Sequence, residues 1–161
     1  MNIMAEPWVY ARDVREVAVN ARDYLHVGVV ETNRSGQRAY WLGIVAWSTV
    51  DRSALPVPVA PVVPGRVQLL WPDDSIDLEP QPAGRAAIGA GDPVFNGPQP
   101  DFQDAWYQLS VAQMTRLARQ PPVSVSLRLD DELSVAYYGW RVEQDSLAEF
   151  LRATGFTPRR P

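Results

Sequence analysis

Apolar residues recur at every second position through much of this chain. Leu25, Val27 and Val29 alternate with Tyr24, His26 and Gly28, the period of a strand with two distinct faces. The following TNRSGQ holds Asn33 and Gly36, which tolerate positive φ and mark a turn. From Arg38 to Val50 the chain is dense in aromatic and β-branched residues. Trp41, Val45 and Trp47 share one face; Tyr40, Leu42, Ile44 and Val50 share the other. A strand apolar on both faces is covered on both, so residues 23–50 predict a long hairpin at the centre of the fold.

LPVPVAPVVPG, residues 55–65, interrupts the pattern with four prolines. Each proline removes a backbone donor and disfavours helix in the residue before it, which predicts an extended path outside any central strand. Val67, Leu69 and Trp71 then alternate with Gln68 and Leu70, and Pro72, Asp73 and Asp74 form a turn into Ser75–Leu78, a second hairpin. VSVSLRL is the cleanest strand: Val123, Val125, Leu127 and Leu129 point one way, Ser124, Ser126 and Arg128 the other. Its continuation DDE is a turn into LSVAYYGWRV.

Two segments switch to a helical period. Ser110 followed by Gln113 reads as a capping box before Met114 and Leu117, and Pro121 and Pro122 stop that helix. Ser146 with Glu149 reads as a second box, followed by Leu147, Phe150 and Leu151 on one face and Gly155 at the end. Residues 80–104 carry no period; a loop of that length is functional or mobile.

An isolated hairpin is marginal in water, and Trp41 and Trp47 need the apolar faces that the later strands offer. The expected fold is mainly β (β-rich α+β): an antiparallel sandwich-like or curled sheet with two short helices. Residues 1–161 form a single domain, with 55–65 a loop inside it and 156–161 a frayed tail.

Composition changes the picture by what it removes. The chain of 161 residues has no cysteine, its 15 basic residues are all arginine, and its one histidine is His26. Cysteine nucleophiles, lysine Schiff bases, P-loop lysines, cysteine zinc sites and multi-histidine sites are thereby excluded. A net charge of −4 argues against a nucleic-acid partner. No apolar run approaches the roughly 18 residues of a membrane span. MNIMAEPWVY lacks the regions of a signal peptide, so a secreted form would have had its signal removed.

His26 sits mid-strand with no GxSxG elbow in the chain, and reads as a sheet residue rather than a base. Acidic residues cluster at Asp73, Asp74, Asp77 and Glu79, at Asp101 and Asp104, and at Asp130, Asp131 and Glu132. Carboxylates in turns accept local backbone hydrogen bonds; paired, they can also serve glycosidase chemistry or hold calcium. Arg12, Arg15 and Arg22 are interleaved with Asp13, Glu16 and Asp23, as on a solvated, ion-paired surface. Six tryptophans and six tyrosines are the strongest chemical signal. Tyr137, Tyr138 and Trp140 occupy both faces of one strand, so either both faces are covered or one is an exposed recognition surface. Trp8 and Trp106 are expected to be exposed.

The run DYLHVGVVETNRSGQRAYWLGIVAWSTVDR, with YQLSVAQMTRLARQPPVSVSL after it, resembles segments of uncharacterised envelope lipoproteins of proteobacteria. The resemblance covers about half the chain and implies a periplasmic or cell-envelope location. It carries no catalytic motif. A lipid anchor would require a cysteine at the mature N-terminus; this sequence contains none, so an anchored form would have had that residue cut away, or the resemblance is false.

The function expected from these readings is non-enzymatic. It is a soluble extracytoplasmic domain that binds a protein partner, of which an inhibitor or immunity-type protein is one instance. Trp8, Asp101, Asp104, Trp106, Tyr138 and Trp140 are its candidate binding residues, with no cofactor, metal or nucleic acid. The alternatives are a carboxylate-using, carbohydrate-active enzyme and a structural component of envelope assemblies.

Overall fold

The computed structural model describes residues 1–15, 17–51, 64–98 and 102–158. Nearly all of the proline-rich stretch, and Asp101, lie outside the described residues. Nine strands are present among the described residues: β1 (Asn2–Ile3), β2 (Trp8–Asp13), β3 (Arg22–Arg34), β4 (Gln37–Ser48), β5 (Val67–Leu70), β6 (Ser75–Leu78), β7 (Gln103–Leu109), β8 (Ser124–Arg128) and β9 (Ser134–Arg141). Two helices, α1 (Val111–Arg119) and α2 (Gln144–Thr154), follow β7 and β9.

The strands form one antiparallel sheet in the order β6-β5-β8-β9-β2-β3-β4-β7, with β1 added to β3. The expected central hairpin is β3–β4, paired from Asp23↔Ser48 to Arg34↔Gln37. Strands from both sides of the proline-rich stretch share this sheet, because β2 pairs with β9. Of the two expected architectures, the sandwich gives way to the curled sheet, which is nearly closed. The ends of the curl approach each other where the Gln81 N–H donates to the Trp106 carbonyl (2.7 Å). The Tyr107 hydroxyl donates to the Gly65 carbonyl (2.6 Å).

The main core fills the inside of the curl. Alternate residues of each strand point into it: Trp8 and Tyr10; Leu25, Val27 and Val29; Leu42 and Ile44; Val125 and Leu127. Met114 and Leu117 of α1, with Leu147 and Phe150 of α2, complete it. Three inward aromatic residues satisfy their polar ends on the backbone at helix boundaries: Tyr10 Oη on Pro122 O (2.7 Å), Trp71 Nε1 on Gln120 O (2.9 Å) and Trp8 Nε1 on Glu143 O (2.8 Å). Such rings bring large apolar area inside while keeping their donors paired.

A second, smaller core lies on the outside of β3, β4 and β7. Segment 80–98, with a 3-10 turn at Gly84–Ile88, folds over Val30, Trp41, Val45 and Trp106 and seats Ile88 and Phe95 on them. The seat is bare backbone. Gly28 faces Gly43 across the hairpin, and β-carbons there would approach the Phe95 and Trp106 rings to 2.4 and 2.7 Å. The loop expected to be functional or mobile is thus a packed cover.

Several other expectations need correction. Trp8 and Trp106 are not exposed, at 1% and 0% relative accessibility; the first is inside the curl, the second under the cover. Ser146 is not an N-cap: α2 starts at Gln144, and Ser146 Oγ donates to Glu143 O from within the first turn. Phe156, placed in a frayed tail, packs edge-on against Tyr40 with centroids 5.1 Å apart. Val123 and Leu129 are exposed, because they flank β8 (Ser124–Arg128) at its two ends. The Ser110–Gln113 capping box forms in both directions, and Gly155 ends α2 with a left-handed φ of 66°.

Candidate binding face on the outside of the sheet

The outward residues of successive strands form a row set by register: Ser75, Leu70, Ser124, Tyr138, Ala11, Tyr24 and Trp47, from β6 to β4. Its first part is two serines flanking Leu70. Its second part is aromatic and lies beyond the reach of the loop cover. Here Tyr24 stacks on Trp47 (4.4 Å between centroids, 13° between planes), and Trp140 meets Tyr24 edge-on at 6.2 Å. Arg22 lays its guanidinium 4.7 Å from the centroid of the Trp140 ring. Tyr138 and Trp140 are 65% and 57% accessible, among the most exposed large side chains of the described chain.

Beside these rings runs an open groove of about 600 Å³. Ala11, Ala136 and Gly139 line it with little side chain, Tyr138 and Trp140 rise from it, and Arg12, Asp13, Arg15 and Arg22 border it. Side chains of a strand stand roughly perpendicular to the sheet, so small residues between large rings leave a furrow. The β2–β9 register shifts between Val9 and Tyr10; a bulge of this kind increases twist and re-aims neighbouring side chains. Asp13 binds Arg22 (3.0 Å) and lies 3.8 Å from Arg15. That hydrogen bond holds Arg22 in its charged form and raises its pKa.

A second depression, about 460 Å³, lies on the polar half of the same face among Arg66, Gln68, Asp77, Glu79, Ser126 and Arg128. Arg66 and Glu79 are ion-paired across it.

The expected site residues do not assemble. Tyr138 and Trp140 share the outer face, whereas Trp8 and Trp106 are core. Asp104 is half-buried on β7, where Arg85 pairs with it at 3.1 Å. The other acidic clusters are engaged in turns. Asp73 and Asp74 meet Arg116, which also lies over Trp71. The Asp130 carboxylate accepts the Glu132 and Leu133 amides, which lower its pKa. No group of three or more potential metal ligands occurs among the described residues.

His26 lies beside this face, its ring 5.7 Å from Trp47 and perpendicular to it. Burial lowers its pKa and the nearby Arg141 charge adds to that, against a backbone contact with Asn96. Among the described residues, buried Nδ1 of His26 and Nε1 of Trp47 meet no hydrogen-bond partner.

Tyr24, Trp47 and Arg22 were not among the candidates read from the sequence. Parity alone could have put Tyr24 and Trp47 on the face opposite Leu25 and Ile44. Their meeting with Tyr138 and Trp140 needs the β9-β2-β3 order, which no local pattern encodes.

Comparison with protein families, with curated proteins and with solved structures finds no match for this chain.

Proposed function

We propose that this protein is a non-enzymatic binding domain of the cell envelope that recognises a protein partner through the outer face carrying Tyr24, Trp47, Tyr138 and Trp140. One observation carries the reading: two large aromatic side chains stand in solvent although the fold buries or half-buries all the others. Tyr138 and Trp140 are exposed, and Trp140 is held in place by Arg22 and Tyr24. Held aromatic residues contribute large contact area at small entropic cost, and tyrosine, tryptophan and arginine dominate interface energetics. The envelope location rests on the family resemblance alone.

The test is affinity capture from native extract, with wild-type protein compared with a Tyr138→Ala/Trp140→Ala double variant of unchanged fold. A dominant protein captured by the first and lost by the second supports the reading. Identical capture by both rejects this face. A substrate turned over by the purified protein, with loss on replacing a single carboxylate, rejects the non-enzymatic assignment.

A further inference from the structure

We infer that the groove beside Tyr138 and Trp140 takes an acidic, proline-rich peptide in the polyproline II conformation. The inference rests on the binding reading above and names the chemistry of the ligand. It starts from what the surface offers. Trp140 Nε1 and Tyr138 Oη engage no group of the described chain. Arg15, which borders the groove, is 85% exposed. Among the described residues, the one carboxylate lining the groove, Asp13, is already shared by Arg15 and Arg22. The groove therefore presents donors and positive charge, on a protein whose net charge is −4. Its complement is rich in acceptors and negative charge and poor in donors.

Proline-rich chain meets that requirement. Proline has no N–H, and polyproline II forms no internal hydrogen bonds, so its carbonyls stay free to accept. Its rings pack into furrows between aromatic walls, and its pre-set backbone loses little entropy on binding. A β-strand ligand fits less well, because this is the face of a sheet and its backbone groups are already paired between strands. Neutral sugars are also disfavoured: their hydroxyls donate as well as accept, and among the described residues the groove's one carboxylate, Asp13, is already engaged by arginine. Carboxylates on the peptide pair with the exposed Arg15 at the border of the groove, and prolines sit against Tyr138 and Trp140.

The test is titration of the whole protein with a capped peptide of about nine residues repeating Pro-Pro-Glu, followed by tryptophan fluorescence and calorimetry. The result expected is saturable binding that weakens with salt. It should also weaken about tenfold or more in Tyr138→Ala or Trp140→Ala. Arg15→Gln, which leaves the aromatic packing intact, should weaken it without changing the denaturation midpoint. Equal binding of a Pro-Pro-Lys repeat overturns the charge assignment. Equal binding of polyglutamate, insensitive to Trp140→Ala, overturns the polyproline assignment. Binding of polygalacturonate in preference to the peptide makes the groove a polysaccharide site and overturns the inference. Failure of the peptide to bind, while the double variant still loses its captured partner, overturns this inference and leaves the binding reading standing.

Discussion

A β-carbon added to Gly28 would lie 2.4 Å from Cζ of Phe95. Phe95 is 5% accessible, so its ring has nowhere to go without lifting the segment that carries it. Gly28→Ala should therefore cost roughly 1–3 kcal/mol, as overpacking of a filled core does. Gly91→Ala is the control: its added carbon meets nothing within 4 Å, and surface changes of that kind stay within about 0.5 kcal/mol. Urea denaturation of the two variants checks this. Equal midpoints would show that the loop cover is not seated as described.

The two serines expected to cap helices should separate cleanly. Ser110 accepts the Gln113 amide while Gln113 reaches back to the Ser110 N–H, so Ser110→Ala should cost about 1 kcal/mol. Ser146 only donates to a carbonyl one turn behind it, and Ser146→Ala should cost less than about 0.5 kcal/mol. The reverse order in denaturation would place the start of α2 elsewhere.

Burial lowers the His26 pKa below its ordinary 6.5. The unfolded chain then binds a proton that the folded chain resists, so the contribution of neutral His26 is complete above about 6.5 and lost as the pH falls through the folded pKa. Arg141, held nearby, opposes the same proton. Wild-type stability should fall more than that of His26→Gln between about pH 7.5 and pH 5.5, the range in which an ordinary histidine titrates. A difference between the two proteins that stays constant over this range would contradict the assignment.

Aromatic residues of the two faces should differ in what they hold together. Trp106→Ala removes a fully buried ring and should cost about 3–5 kcal/mol. Trp140→Ala removes an exposed ring whose main attachment is Arg22, worth about 0.5–1 kcal/mol at such a site. Thermal unfolding ranks them. A Trp140→Ala loss as large as that of Trp106→Ala would make the outer aromatic group a structural cluster rather than a surface held ready for a partner.

Local pattern determined much of this protein. The alternation at 23–50 is the β3–β4 hairpin, 67–78 is β5–β6, and Ser110–Gln113 starts α1, because strand parity and capping act between residues a few positions apart. The strand at Trp8–Asp13 was not legible: it is short, and the small Ala11 and the charged Arg12 at its end blur the alternation. Which aromatic residues are core was decided by the tertiary structure. Trp106 and Trp140 both point outward from the same sheet; one is covered by residues 80–98 and the other is not. Parity assigns a side chain to a face, but only sheet order and the path of a loop decide whether that face meets water. The grouping of Tyr24, Trp47, Tyr138 and Trp140 arises the same way, from the pairing of β2 with β3 and with β9, across more than a hundred residues of intervening chain.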